Sequence, residues 1–197
     1  VPDARFPATL PAASAANLTS IPSANLTGAL PAISGASLTN LPAGGKFASY
    51  AIICDQKATA TAGGSSSTGT FNVRDLNTEV ADPDGIVSIS SNQFTLQAGS
   101  YLIKASAPAH GAARHQIIVN NATDSAVAVL GVSAYSNQSS ATTSRAFATG
   151  RVTIGSAKVF EIRHRVGTAK SGDGLGVESN FDTLASIYTV VEIYKES

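Results

Sequence analysis

Residues 158–166 read Lys158-Val159-Phe160-Glu161-Ile162-Arg163-His164-Arg165-Val166. In an extended chain Phe160, Ile162 and Val166 share one face, and Glu161, Arg163 and Arg165 share the other. Alternation with a period of two marks a β-strand with one wet face and one face against a core. The same grammar extends through residues 46–197. Short alternating runs are separated by clusters of Gly, Ser, Asn and Asp, and no segment carries a helical period. Strands are expected at 48–54, 70–75, 86–90, 93–97, 100–107, 115–120, 127–135, 145–154, 158–166 and 185–195, with turns at 62–68, 82–85, 120–124, 137–143 and 170–176. Ten short strands of this kind predict an all-β, antiparallel two-sheet sandwich or jelly roll.

Two of these strands depart from the wet-face pattern. In 185–195, Ile187, Val191 and Ile193 alternate with Tyr188, Val190 and Tyr194, so both faces are apolar. In 127–135, Val127 and Val129 oppose Leu130 and Val132. One face of a sandwich strand meets the core, and a second apolar face needs a second surface. A subunit interface supplies it, so both strands are expected near the axis of a homotrimer.

The N-terminal residues 1–45 follow a different rule. Pro11-Ala-Ala-Ser-Ala-Ala-Asn17-Leu18-Thr19-Ser20-Ile21-Pro22 is echoed by Pro31-Ala-Ile-Ser-Gly-Ala-Ser37-Leu38-Thr39-Asn40-Leu41-Pro42, with the shorter Ser23-Ala-Asn25-Leu26-Thr27-Gly-Ala-Leu30-Pro31 between them. Regular prolines exclude a continuous helix and a central strand. One such chain has little to bury by itself. Three chains wound together bury Leu18, Ile21, Leu26, Leu30, Leu38 and Leu41 along a shared axis, each unit stabilised through its neighbours. Residues 1–45 are therefore expected to form an extended trimeric stalk and 46–197 the β-head, with Ala43-Gly44-Gly45-Lys46 at the boundary. The chain starts at Val1 without methionine, which reads as a fragment or a processed product.

Composition narrows the function classes. Lys+Arg and Asp+Glu both number 13, so the formal charge is zero. That balance speaks against a nucleic-acid partner, which calls for basic excess and basic clusters. No run approaches the roughly 20 apolar residues of a membrane-spanning helix, so no membrane insertion is expected. Charged residues make up only 13%, so the polar surface must come from Ser, Thr, Asn and Gly, and part of the remainder is expected to hide in an oligomer. The single cysteine, Cys54, sits in the apolar run Ala51-Ile52-Ile53-Cys54 and is expected as a buried free thiol, which excludes a disulfide framework.

Two stretches resemble known families. Phe94-Thr-Leu96-Gln-Ala-Gly99-Ser-Tyr101-Leu-Ile103 resembles the signature of tumour necrosis factor-like and complement-type globular heads. There the glycine opens a strand and the tyrosine packs in the core near the trimer axis. Ile187-Tyr-Thr-Val-Val-Glu-Ile-Tyr-Lys195 is similar to the last strand of those jelly rolls. The Ala-Asn-Leu-Thr and Gly-Ala-Leu-Pro units of residues 5–42 resemble segments of bacteriophage tail-fibre and tail-collar proteins. Together the resemblances imply a homotrimeric virion fibre, attached to other virion proteins on its N-terminal side, with a head that recognises a host-surface glycan. The head resemblance implies Tyr101, and the two doubly apolar strands imply Leu130, Val132, Tyr188, Val190 and Tyr194, as trimer-interface residues of the head. A capsid or head fibre, a decoration trimer with a purely structural role, and a tumour necrosis factor-like trimeric ligand are the alternatives.

Catalytic signatures are missing: there is no Gly-x-Ser-x-Gly elbow, HExxH helix or Walker loop. The glycine-rich Lys170-Ser-Gly-Asp-Gly-Leu-Gly176 precedes no helix and reads as a long hairpin loop. His110, Arg114 and His115 read as exposed polar loop residues, since a metal site needs more ligands in a tighter pattern. Asp82-Pro83-Asp84-Gly85 reads as a turn. No cofactor or metal is expected. Sugars are held by an aromatic platform and planar polar groups. Loops combining these are Tyr135-Ser-Asn137-Gln138 with Arg145, and Lys170 to Asp173 with Glu178 and Asn180, which makes Tyr135, Asn137, Arg145, Lys170, Asp173 and Asn180 the candidate receptor-binding residues.

Overall fold

The computed structural model describes residues 45–139 and 142–197. The stalk repeats and their interface residues Leu18, Ile21, Leu26, Leu30, Leu38 and Leu41 lie outside the described residues.

The described strands are β1 (Phe47–Lys57), β2 (Phe71–Val73), β3 (Thr78–Ala81), β4 (Val87–Ser90), β5 (Gln93–Leu96), β6 (Gly99–His110), β7 (Ala113–Asn121), β8 (Ala126–Ser136), β9 (Thr143–Ile154), β10 (Lys158–Val166) and β11 (Ser186–Glu196). They form two antiparallel sheets, in the orders β3-β1-β11-β6-β9 and β4-β5-β10-β7-β8. β2 continues the edge of β10 beyond β5. From β5 onward the chain passes repeatedly from one sheet to the other, with only β7 and β8 joined as a hairpin within a sheet. This connectivity is a jelly roll, as expected.

All ten expected strands are present, and β3 is an addition. It is short and largely exposed and carries Glu79, so alternation does not reveal it. Its position is set by Asn77, whose amide oxygen accepts from the Gln56 N–H at 2.9 Å while its amide nitrogen donates to the Gln56 carbonyl at 3.0 Å. The side chain thus stands in for a ladder pair.

The core lies between the sheets. Ile53, Tyr101, Ile103, Val191 and Ile193 from the first sheet meet Phe94, Leu96, Ile117, Val119, Phe160 and Ile162 from the second. Phe94 and Phe160 are direct cross-strand partners with ring centroids 5.6 Å apart. The predicted inward face of β10 is the observed one, with Phe160, Ile162 and Val166 all buried. Gly99 has φ +155°, and the Tyr101 ring lies 3.3 Å from where its Cβ would stand, so a side chain there would push the ring out of the core.

Bulges alter the two doubly apolar strands. The β7–β8 register shifts between Gln116/Ile118 and between Val119/Asn120. A one-residue slip inverts the faces of everything beyond it. Only Val129 therefore points inward, and Val127 joins Leu130 and Val132 outside. Gly131 occupies the bulge, where a Cβ would run into the carbonyls of Ile117 and Phe147. In β11 the register against β1 shifts between Cys54 and Gln56. Ile187 is turned out at 45% exposure, whereas Tyr188 is turned in at 2%.

Candidate functional site

Three surface features follow from this architecture. The first is the outer face of the β3-β1-β11-β6-β9 sheet. Tyr50 and Phe147 are exposed there, and Val190 and Tyr194 are half-buried. Phe147, Val190, Lys104 and Glu192 border a depression of about 140 Å3. Lys104, Arg151, Glu192 and Glu196 on this face are paired with one another. Lys104 donates to Glu192 at 3.0 Å, the Tyr194 hydroxyl donates to Glu192 at 2.7 Å, and Arg151 donates to Glu196 at 2.8 Å. The Tyr194 hydroxyl and the Lys104 ammonium hold the Glu192 carboxyl below its usual range.

The second feature is β8, at the edge of the other sheet. Val127, Leu130, Val132 and Tyr135 are 55–67% exposed along one strand. Such a long apolar stripe on an edge strand is an association surface unless it is covered.

The third is a polar crown at the end of the sandwich opposite Gly45 and Ser197. Arg74 is its hub, 1% exposed. Its Nε donates to Thr189 Oγ1 at 2.9 Å, and its terminal nitrogens donate to the carbonyls of Leu175 at 2.8 Å and Pro108 at 3.3 Å. Burial pulls the guanidinium down to about 10, against the attraction of Asp55 and Asp75. Burial also pushes the Asp55 carboxyl up, against the pull of Lys57 3.3 Å away.

The histidines of the crown differ from expectation. His110 and His115 are buried: β6 runs past residue 107 and carries His110 inside, and His115, the first residue of the expected 115–120 strand, shares the inward face with Ile117. His115 Nδ1 lies 3.0 Å from His164 Nε2, and His115 Nε2 lies 2.8 Å from Ser144 Oγ. Ser144 in turn donates to the Tyr135 carbonyl at 2.8 Å. That last bond sets every proton in the chain. Ser144 must accept from His115 Nε2–H, so His115 Nδ1 accepts from His164 Nε2–H. Both rings are neutral: burial and the nearby Arg74 charge pull His115 to about 4 and His164 to about 2. Among the described residues no group of three or more His, Cys, Asp or Glu could hold a metal ion.

The candidate receptor residues do not converge. Arg145 projects from the outer face of the first sheet, where its guanidinium donates to the Tyr188 carbonyl at 2.6 Å and to Ser106 Oγ at 3.0 Å. Tyr135 projects from the outer face of the other sheet. Lys170 and Asp173 form an ion pair at 3.1 Å, with His110 Nε2 3.6 Å from the same carboxylate. Their loop is not a free hairpin: Leu175 N–H donates to the Gly64 carbonyl, and Ser66 bridges to Lys170. Asn137 accepts the Ser139 N–H at 2.8 Å, and Asn180 stands exposed at φ +46°.

Of the head's expected interface residues, Leu130, Val132, Val190 and Tyr194 reach the surface. Tyr101 and Tyr188 are corrections. Both fill their own chain's interior, with hydroxyls donating to the Gln97 and Thr61 carbonyls, and neither has side-chain surface left for a neighbour. Sequence reasoning missed Arg74, His164 and Thr189. The available signal was His164 standing in phase with Ile162 and Val166, a titratable group on a core face.

No family model matches this chain, and no curated protein matches it in sequence. Among solved structures, murine APRIL at pH 8.5 is similar with a TM-score of 0.48 and 9% identity over 74% of this chain and 98% of that one. The globular domain of zebrafish complement 1qA protein gives 0.48 and 12%, over 74% and 94%. The vertex protein P5 of PRD1 gives 0.47 and 12%, over 78% and 100%. The described residues form an all-β jelly roll of two antiparallel sheets.

Proposed function

We propose that this chain is the stalk and head of a homotrimeric virion fibre, a phage tail fibre whose head contacts a glycan on the host surface. One observation carries the assembly: the head has two different apolar surfaces, the sheet face around Phe147 and Val190 and the β8 edge around Leu130 and Val132. A face that receives an edge is a heterologous contact, which builds a ring where its rotation closes and an open filament where it does not, rather than a two-fold dimer. The three-fold ring is the one that the resemblances of stalk and head imply. The internally paired charges on the receiving face support the same reading, because a buried surface tolerates charges that already have partners. The virion location rests on the vocabulary of the repeats.

Sedimentation of the full chain tests the assembly. The expected species is a trimer, and Leu130→Asp or Phe147→Asp alone makes it dissociate at a higher concentration than the wild-type chain, with the β-sheet circular dichroism kept. A wild-type chain that sediments as a stable monomer at micromolar concentration overturns the reading. Localising the chain on the particle by cryo-electron microscopy tests the virion assignment.

A further inference from the structure

The outer face of the β4-β5-β10-β7-β8 sheet contains one hollow. In register, Phe71, Arg165, Gln116 and Ser133 form a row across β2, β10, β7 and β8. In the next outward row Arg114 faces Tyr135 across β8. On its other side lies Gly167, whose N–H donates to the Arg114 carbonyl at 2.7 Å. Gly167 has no side chain, so the floor between Arg114 and Arg165 stays open. The resulting concavity measures about 330 Å3 and is lined by Arg114, Gln116, Ser133, Ala134, Arg165 and Gly167 among others.

The two arginines are exceptional. Arg74, Arg145, Arg151 and Arg163 each donate to at least one protein oxygen. Arg114 and Arg165 have no carboxylate partner among the described residues. Arg165 only lies over the Phe71 ring, at 5.4 Å. Diagonal positions on neighbouring strands stand about 7 Å apart, so both guanidinium groups can converge on one anion. Two adjacent cations without a counter-charge repel each other, and a bound anion relieves that repulsion.

The rest of the lining selects the kind of anion. Gln116 Nε2 is committed to the Gly131 carbonyl at 2.6 Å, which leaves its amide oxygen as an acceptor. The Ser133 hydroxyl can donate or accept. Tyr135, 58% exposed, offers an aromatic face at the rim. A bare phosphate or sulfate uses donors only. A sugar acid uses all of these: its carboxylate the guanidinium groups, its hydroxyls the amide oxygen and Ser133, its apolar ring face the tyrosine. The volume is at the small end of ligand sites, about 300–1,000 Å3, which suits one sugar-acid residue and little more.

We infer that this groove binds an acidic saccharide through its carboxylate, held between Arg114 and Arg165. The inference rests on the reading of the head as the glycan-contacting part of the fibre. The test titrates the full chain with a tetrasaccharide of alternating glucuronate and N-acetylglucosamine, with neutral chitotetraose, and with inorganic sulfate, followed by ligand-observed NMR and calorimetry. Binding of the acidic tetrasaccharide alone supports the inference, provided that Arg114→Gln and Arg165→Gln each weaken it about tenfold to hundredfold, the value of hydrogen bonds to a charged group. Arg151→Gln, on the opposite sheet, leaves it unchanged. No binding, equal binding of chitotetraose, sulfate binding as tight as the tetrasaccharide, or indifference to both groove substitutions overturns it. The groove is built within one chain. Sedimentation of the same samples therefore separates a failure of this inference from a failure of the trimeric assembly.

Discussion

At the scale of single residues, the crown makes the sharpest demands. Arg74 satisfies two loop and strand carbonyls and one hydroxyl that have no water to turn to. Arg74→Met keeps the volume and removes all three donors, which is expected to cost about 3 kcal/mol or more in urea unfolding, at about 1–3 kcal/mol per orphaned buried group. The loop at 170–176 loses its anchor through Leu175 and becomes the first site of limited proteolysis. The neutral His115–His164 pair gives a second expectation. Both rings bind protons less readily in the folded chain than in the unfolded one, where the value is about 6.5. Acid therefore favours the unfolded state as pH falls below about 6.5, by at most about 1.4 kcal/mol per pH unit for His164. The loss from His115 levels off near 4. Thermal unfolding followed from pH 7 to 4 is expected to show a falling Tm, and His164→Gln, which keeps an N–H for His115, flattens the slope. A Tm independent of pH across that range contradicts the neutral-pair assignment.

At the scale of elements, alternation located the strands but not the slips between them. β10 was legible because its dry face is uninterrupted, and Phe160, Ile162 and Val166 are buried as its sequence requires. Glu161 on the expected wet face is buried too, where its carboxylate accepts from Gln93 and Asn120. In β8 and β11 the residue types are right and the faces are partly wrong. Val127 and Ile187 lie outside because a bulge is a property of the pairing of two strands, not of either strand's own pattern. The same limit hid the crown, whose members Arg74, Pro108, His164 and Thr189 meet only after strands from both sheets have come together. Arg165 was legible as a wet-face residue, whereas its hollow depends on Gly167 standing beside Arg114. Gly131 tests the bulge directly. Gly131→Val places branched carbons against the Ile117 and Phe147 carbonyls and is expected to cost about 1–3 kcal/mol by overpacking. It also displaces Leu130 and Val132, so on the proposed assembly the association loosens along with the fold, as sedimentation against concentration reads.

At the scale of the whole molecule, the head is polarised. Ser197 N–H donates to the Lys46 carbonyl, and Phe47 packs on Tyr194 at 5.4 Å, so the entry of the chain and its end share one end of the sandwich. The crown, with the loops at 58–70 and 167–185, occupies the other. β1 runs the distance between them in 11 residues, about 36 Å at 3.3 Å per residue, flanked by β3 and β11. On the proposed assembly through the β8 edge and the Phe147 face, the crown and the end that carries Gly45 and Ser197 would stay free of that contact.

This placement of the termini has a mechanical consequence. A pull between Gly45 and a point on the crown runs along β1 and loads its ladder bonds to β11 in shear, all at once. A pull between Gly45 and Ser197 starts at the Phe47–Glu196 pair and peels the same two strands apart one bond at a time. Single-molecule stretching with handles at the N-terminus and at a cysteine introduced in the crown is expected to need a clearly higher rupture force than stretching by the two termini.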